Sequence, residues 1–108
     1  MTETIRLCPI DQPVEGEPVE VLAPGLPPLV VYEVEGAFFV TDNMCTHGHA
    51  RLSDGYHNGF VIECPLHGGS FDVRTGAPKT APCVVALRTY QAIVEDGWVT
   101  IARPAQGG

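Results

Sequence analysis

The sequence predicts an all-β protein: an antiparallel β-sandwich or barrel that carries a small inserted subdomain. The chain of 108 residues contains 12 Gly and 10 Pro, a composition that favours turns between short strands. Short runs rich in β-branched and aromatic residues alternate with turn signals along the chain. Sustained helical periodicity is absent from the sequence, so we expect any helix to be short. The length indicates one domain, residues 1–108.

The strands follow from these runs in chain order. Turn dipeptides separate several of them and favour antiparallel pairing: Glu35-Gly36, Asn58-Gly59, Thr75-Gly76 and Asp96-Gly97. In one run, Val30, Tyr32 and Val34 alternate with Val31 and Glu33, as in a strand with one buried face. The predicted strands are residues 5–8, 19–22, 29–34, 37–41, 60–63, 70–73, 77–79, 84–90, 92–94 and 98–102.

The charge of the chain excludes two classes of partner. A net charge of −7 and a pI near 4.8 argue against nucleic acid and against an anionic membrane. Residues 1–42 carry eight acids and one base, whereas residues 43–108 carry five of each. This asymmetry is either a solvated acidic face or a surface that steers a basic protein partner.

The first residues and the longest uncharged stretch bear on the compartment. The N-terminal segment lacks an apolar core and a cleavage site, so it is not expected to be a signal peptide. Residues 21–32 are too short to span a bilayer and contain Pro24, Pro27 and Pro28. We therefore expect a cytoplasmic protein, in which cysteines serve as thiols or metal ligands and not as disulfides.

Two short boxes combine cysteine with histidine, Cys45-Thr-His47 and Cys64-Pro-Leu-His67, and sixteen residues separate them. Thiolate and imidazole in such a quartet indicate a metal site. Each box supplies one sulfur and one nitrogen, which is the ligand set of a Rieske [2Fe–2S] centre, with Cys45 and Cys64 on one iron and His47 and His67 on the other. A structural zinc site is the alternative, although zinc fingers usually pair like ligands within a box.

Both boxes fall on loops that follow predicted strands. Residues 43–71 are therefore expected to form a small cluster-binding subdomain inserted in the larger β-structure. Because imidazole is neutral and thiolate is charged, the oxidised core with two ferric irons, two sulfides and two thiolates is neutral, and reduction adds one negative charge. His47 and His67 are expected to face solvent and to form the exit for the electron.

The remaining cysteines and histidines do not complete a second site. Cys8 and Cys83 are expected to be buried free thiols, His49 to be an exposed histidine and His57 to be a turn residue. A non-heme oxygenase iron would need two histidines and a carboxylate with open positions. The sequence also lacks a Gly-rich dinucleotide fingerprint, so direct hydride transfer from NADH is not expected.

Several stretches resemble the small Rieske ferredoxins of bacterial multicomponent aromatic-ring-hydroxylating dioxygenases, naphthalene dioxygenase ferredoxins among them. The resemblance covers essentially the whole chain, and its stretches are residues 32–36, 41–48, 50–56, 62–67, 71–72, 87–90 and 98–101. It implies the Rieske fold, one Rieske-type [2Fe–2S] cluster held by Cys45, His47, Cys64 and His67, and an electron carrier that is not itself an enzyme.

The resemblance also implies partners. The family passes single electrons from an NAD(P)H-dependent flavoprotein reductase to a terminal oxygenase of α and β subunits, and we expect a monomer. Pro82 resembles the proline of a third loop that covers the cluster. Two alternatives remain: a structural zinc module that binds a protein partner, and a nitrite reductase small subunit, although such subunits often lack intact ligand boxes.

Departures from the wider Rieske superfamily predict a low reduction potential. Ala50 and Leu66 stand where cytochrome bc-type proteins carry a disulfide, and Gly69 and Phe71 stand where those proteins carry a serine and a tyrosine that donate hydrogen bonds. Fewer donors stabilise the reduced cluster less. We therefore expect a potential near −150 mV, the lower end of a range of roughly −150 to +300 mV.

Overall fold

The computed structural model describes residues 3–46, 50–66, 68–81 and 83–104. Within these ranges the chain forms eleven strands and a single 3₁₀ turn at Leu52–Asp54, which confirms the all-β fold class. The strands are β1 (Thr4–Pro9), β2 (Val19–Val21), β3 (Leu29–Val34), β4 (Ala37–Asp42), β5 (Tyr56–Asn58), β6 (Val61–Glu63), β7 (Ser70–Asp72), β8 (Pro78–Thr80), β9 (Thr89–Tyr90), β10 (Ile93–Glu95) and β11 (Trp98–Ala102).

Two antiparallel sheets form the base of the molecule. Their strand orders are β1-β11-β10 and β2-β3-β4-β9. The predicted hairpin of β3 and β4 is confirmed, with Val34 opposite Ala37 and both turn residues in the left-handed region, Glu35 at φ 52° and Gly36 at φ 85°. The turn between β10 and β11 at Asp96-Gly97 has the same left-handed geometry.

The third antiparallel sheet has the order β5-β6-β7-β8 and lies between the two base segments in sequence. Gly59, at φ 60°, lies in the turn that pairs Asn58 with Val61. The strand β5 was not predicted, because Tyr-His-Asn is short and carries polar side chains. Its central residue His57 is nevertheless buried.

Strand β3 separates two hydrophobic cores, and this overturns the prediction of one buried face. Val30 and Tyr32 point into one core, and Leu29 and Val31 point into the other. The loop-side core comprises Val30, Tyr32, Cys45, Ala50, Leu52, Ile62, Cys64, Phe71, Val73, Cys83 and Leu87. The base core comprises Leu7, Cys8, Leu29, Val31, Val40, Val99 and Ile101. A strand covered on both faces reads as a continuous apolar run, which is how Leu29–Tyr32 reads.

The prediction of one long strand over residues 84–90 is wrong, since β9 is confined to Thr89–Tyr90. Val84 and Val85 are exposed, whereas Leu87 is buried. The Leu87 N–H donates to the Gly76 carbonyl at 2.9 Å, so this segment crosses the β7–β8 hairpin instead of extending a sheet. A side chain on Gly76 would collide with the Leu87 carbonyl, which explains why glycine occupies this position.

A search of the described residues for a helix long and apolar enough to cross a membrane finds none.

Candidate metal centre

The first cysteine loop leaves β4 and closes on itself through backbone pairing. The Cys45 N–H donates to the Ala50 carbonyl at 2.9 Å, and Met44 forms an isolated bridge with Arg51. The buried Asn43 side chain anchors this loop: its Nδ2 donates to Glu20 Oε2 at 3.0 Å and its Oδ1 accepts the Ser53 N–H at 2.8 Å. The result is a rigid loop that holds Cys45 in the loop-side core at 4% exposure.

The second cysteine loop connects β6 to β7 and is a tight turn. The Cys64 N–H donates to the Gly69 carbonyl at 2.7 Å, and the Gly68 N–H returns to the Cys64 carbonyl at 3.3 Å. Gly68 adopts φ 74°, a conformation that favours glycine. Cys64 is 1% exposed while Leu66, two residues later, is exposed. The turn therefore places the sulfur inside and the tip of the loop outside.

A third segment, after β8, packs beside both loops. The Cys83 N–H donates to the Thr80 carbonyl at 3.2 Å, and the Thr46 hydroxyl donates to the Val85 carbonyl at 2.7 Å. The second of these bonds ties the third segment directly to the residue after Cys45. The resemblance at Pro82 predicts a third loop over the site, and the segment after β8 does pack there; the place of Cys83 in the same core as Cys45 and Cys64 was not predicted.

Three buried thiols belong to the core that these segments share. Cys45, Cys64 and Cys83 are all buried members of the loop-side core. Burial, the neighbouring Cys45 thiol and a hydrogen bond to it raise the pKa of Cys83 to about 11. The predictions of buried, free thiols at Cys8 and Cys83 are confirmed. Cys8 lies in the base core, where burial raises the pKa of its thiol.

Four residues singled out in the sequence lie outside the described residues: His47, His49, His67 and Pro82. The described ranges alone contain no group of three or more His, Cys, Asp and Glu side chains suited to a metal ion. The structure therefore brings together the sulfur half of the predicted quartet, and the nitrogen half remains a prediction.

The donor set fits the sulfur half of a [2Fe–2S] cluster. Two thiols from separate loops reach the same dry region, as thiolate ligation of one iron requires. The surrounding side chains are apolar, among them Leu52, Ile62 and Phe71, so water has little access to the sulfurs.

His57 does not belong to this site, and its prediction as a turn residue is wrong. It lies in β5, where its Nδ1 accepts the Gly16 N–H at 3.0 Å and its Nε2–H donates to the Gly59 carbonyl at 2.7 Å. The ring also packs against Tyr32 at 5.3 Å between centroids. Both nitrogens are occupied in one neutral tautomer, so His57 joins the loop containing Gly16 to the third sheet.

An open groove of about 640 Å³ flanks the two cysteine loops. Met44 and Leu66 line it from the two loops, and Leu22 and Pro28 line it from the base. Glu20, Arg51 and Asp54 supply its charges, with Arg51 Nη1 3.4 Å from Glu20 Oε1. Leu22, Met44 and Leu66 are exposed and lie together in this groove, and an apolar patch of this kind is typical of a contact surface.

Comparison with known proteins identifies the family. The model of the Rieske [2Fe-2S] domain matches residues 3–91. The anthranilate 1,2-dioxygenase ferredoxin subunit of Burkholderia cepacia is 44% identical over 101 residues, 94% of this chain and 93% of that protein.

Solved structures agree with this assignment. The Sphingomonas yanoikuyae B1 ferredoxin is 53% identical with a TM-score of 0.93, over 94% of this chain and all of that one. A ferredoxin in the complex of reduced oxygenase and oxidized ferredoxin of carbazole 1,9a-dioxygenase is 40% identical with a TM-score of 0.87, over 94% of each chain. This chain thus belongs to the Rieske [2Fe-2S] domain family, as a ferredoxin that holds one Rieske-type cluster and carries electrons without being an enzyme itself.

Proposed function

We propose that this ferredoxin passes single electrons from an NAD(P)H-dependent flavoprotein reductase to the terminal oxygenase of an aromatic-ring dioxygenase system. The observation that carries the proposal is the convergence of Cys45 and Cys64 in one buried region, on two loops that end in exposed residues. The relative found in complex with its oxygenase supports the oxygenase as one partner. The reductase is inferred from the need to reduce the cluster again after each electron is delivered.

The four proposed ligands are Cys45 and Cys64 on one iron and His47 and His67 on the other. The cluster, when bound, supplies a one-electron carrier. The chain contributes the buried thiols, the backbone bonds that fix both loops and the apolar walls around them. Ligation by His47 and His67 would leave one iron with neutral protein ligands, and we expect that iron to be the one nearer to the partner.

We propose residues 43–71 as the cluster-binding subdomain of a single domain, residues 1–108. Strands β5 and β6 lie within this segment and connect the two cysteine loops. The hairpin of β7 and β8 continues the same sheet to Thr80 and leads into the third segment. In sequence, the third sheet and its loops therefore lie between two base strands, β4 before them and β9 after them.

The docking face is proposed to be the apolar rim around the loops, formed by Met44, Leu66, Val84 and Val85, which are 43%, 56%, 77% and 58% exposed. A rim of this kind brings the cluster close to a partner without a large interface, as suits a transient complex. The acidic residues of the first 42 positions steer a basic partner toward it, and we propose that the protein works as a cytoplasmic monomer.

The proposal is tested by reconstituting electron delivery with purified reductase and oxygenase. Cys45→Ser and His67→Ala are expected to lose or alter the visible absorption and EPR signal and to stop delivery, because each removes an iron ligand. Cys8→Ser is the matched control, an equally buried thiol in the other core, and should leave spectrum and rate unchanged. An unaltered EPR signal in His67→Ala would refute that ligand assignment.

Steering is tested separately by the ionic strength of the same assay. The rate of delivery is expected to fall with added salt, because screening weakens attraction between separated charges. Glu15→Gln with Glu17→Gln, both exposed, should reduce that salt dependence. A rate that is independent of salt would reject steering and leave the electron-carrier role intact.

The two alternative functions have less support. Two relatives that are 44% and 41% identical over 94% of this chain are ferredoxin components of dioxygenases, not zinc modules or nitrite reductase subunits. Purified protein gives a direct check, since an iron–sulfur cluster is coloured and a zinc site is colourless.

A further inference from the structure

The carboxylate of Glu20 reaches from base strand β2 to both arms of the first cysteine loop. Its Oε2 accepts a hydrogen bond at 3.0 Å from Nδ2 of Asn43, which lies two residues before Cys45. Its Oε1 lies 3.4 Å from Nη1 of Arg51, on the returning arm of the same loop. One side chain therefore contacts the loop on both sides, from a position 23 residues before Asn43.

The two arms of this loop meet at a narrow neck. Met44 pairs with Arg51 in an isolated bridge, and the Cys45 N–H donates to the Ala50 carbonyl at 2.9 Å. This short pairing lies outside the named strands. We therefore expect the neck to depend on the side-chain bonds that lie beside it.

Asn43 is the buried end of the contact with Glu20. Its Nδ2 donates both to Glu20 and to Ser53 Oγ, the latter at 2.9 Å, and its Oδ1 accepts the Ser53 N–H at 2.8 Å. An amide nitrogen has two hydrogens, and these two bonds use both of them. Because Asn43 is fully buried, loss of the Glu20 carboxylate would leave one of these hydrogens without its partner, which is costly away from water.

We propose that Glu20 is a positioning residue for the cluster: through Asn43 it keeps the neck of the first cysteine loop closed, and retention of the cluster depends on it. The proposal rests on the ligand role proposed for Cys45. Glu20 acts through the loop and not as a ligand. It thereby differs from the exposed acids Glu15 and Glu17, because its side chain is only 27% exposed and both of its oxygens face the loop.

The experiment measures how fast an iron chelator bleaches the visible absorption of the cluster-loaded protein. Glu20→Ala is expected to lose its cluster about threefold to tenfold faster than wild type, because a buried hydrogen of Asn43 loses its acceptor. Glu20→Gln retains an oxygen acceptor and removes only the charge that faces Arg51. Its rate should stay within about twofold of wild type, because an exposed ion pair contributes little.

Thr100→Val is the control for a general loss of stability. Thr100 is buried in the base, where its hydroxyl donates to the Ile93 carbonyl at 2.8 Å, so this change also breaks one hydrogen bond. It should lower the free energy of unfolding without faster bleaching. The EPR g values of the reduced cluster should change in Glu20→Ala, because the loop that carries Cys45 shifts, and should stay at wild-type values in Glu20→Gln and Thr100→Val.

Three results would overturn the proposal. The first is a wild-type bleaching rate in Glu20→Ala. The second is an equal acceleration in Glu20→Ala and Glu20→Gln, which would assign the effect to the charge and not to the bond with Asn43. The third is an equal acceleration in Thr100→Val, which would indicate a general loss of stability.

Uptake of the cluster decides the case in which Glu20→Ala cannot be loaded. A normal cluster in Glu20→Gln and none in Glu20→Ala would support the proposal, whereas no cluster in either variant would contradict it. Wild-type protein without iron and acid-labile sulfide would instead refute the proposed function itself, which separates the two failures.

Discussion

The two cores on either side of β3 are built from similar side chains but serve different purposes. The base core is closed by the long pairing of β1 with β11, from Thr4 opposite Ala102 to Pro9 opposite Trp98. The loop-side core is assembled from loops and three-residue strands, and it contains three of the four cysteines. Long regular strands stabilise the base core, whereas turns and individual hydrogen bonds hold the cysteine side chains in the loop-side core.

Truncation of one large side chain in each core is the strongest way to test this division. Phe71→Ala and Ile101→Ala should each lower the free energy of unfolding by about 2–5 kcal/mol, because each leaves a cavity in a fully buried region. Only Phe71→Ala should also accelerate loss of the cluster's visible absorption at a temperature where both variants remain folded. Equal rates of cluster loss would show that the two cores are not functionally distinct.

A matched pair of glycines tests the crossing of the third segment over the β7–β8 hairpin. Gly76 and Gly36 have similar left-handed φ values of 79° and 85°. Alanine at either position should lower the free energy of unfolding by about 1–2 kcal/mol, because its backbone conformation is left-handed. Only at Gly76 would the added methyl group also collide with a carbonyl, that of Leu87. Chemical denaturation should therefore find Gly76→Ala clearly less stable than Gly36→Ala, and equal losses would contradict the described packing.

His57 provides a third comparison, because it joins the base to the third sheet. His57→Ala should lower stability by about 1–3 kcal/mol, since it leaves the Gly16 N–H and the Gly59 carbonyl without their side-chain partner. The reduction potential should stay at the wild-type value, because the hydrogen bonds of the ring go to backbone outside both cysteine loops. His57→Gln, which retains a donor and an acceptor, should recover part of the lost stability. If His57→Ala is as stable as wild type, His57 does not link the base to the third sheet.

The smallest expected effect concerns the pH dependence of Asp72. Its carboxylate accepts bonds from Arg74 Nη2 at 2.8 Å and Nε at 3.1 Å, and this hydrogen bonding holds the pKa of Asp72 below its ordinary value. A lowered pKa stabilises the fold above the unfolded-state value of about 4, and that contribution is lost as pH falls further. Asp72→Asn should therefore be less stable than wild type at neutral pH, with a difference that shrinks in acid.

Thermal denaturation from pH 7 to pH 3 would measure how the stability difference between Asp72→Asn and wild type shrinks in acid. Asp54→Asn is the control, since Asp54 Oδ2 lies 3.8 Å from Arg51 Nε in an exposed pair. A constant difference between Asp72→Asn and wild type over this range would exclude the proposed role of Arg74.

The sequence predicted most of the fold because its strands carry strong local signals. Turn dipeptides with glycine identified the hairpins, and Trp98–Ala102 formed the expected closing strand. Strand β5 escaped prediction because His57 is held by the N–H of Gly16, 41 residues away in the chain, and by packing against Tyr32, and such contacts leave no local pattern. The exposed Val84 and Val85 carry a misleading strand signal, because β-branched side chains favour strands only where packing does not decide otherwise.

The site was predictable in part for a related reason. The spacing of the ligands is visible in the sequence, so Cys45 and Cys64 could be assigned to one metal site without knowledge of their burial. The place of Cys83 in the same core as Cys45 could not be predicted from local patterns, because it depends on how a separate segment folds back across the β7–β8 hairpin. Short-range motifs therefore predict the ligands, and only tertiary packing shows which residues surround them.

The ligand set proposed for the two-iron cluster is two sulfurs, Cys45 and Cys64, and two nitrogens, from His47 and His67. Pulsed EPR of the reduced protein, labelled with ¹⁵N only in histidine, distinguishes this set from all others. We expect strong couplings from two histidine nitrogens, of which one disappears in His47→Ala and the other in His67→Ala. A cluster signal without any histidine coupling would refute the two-nitrogen assignment.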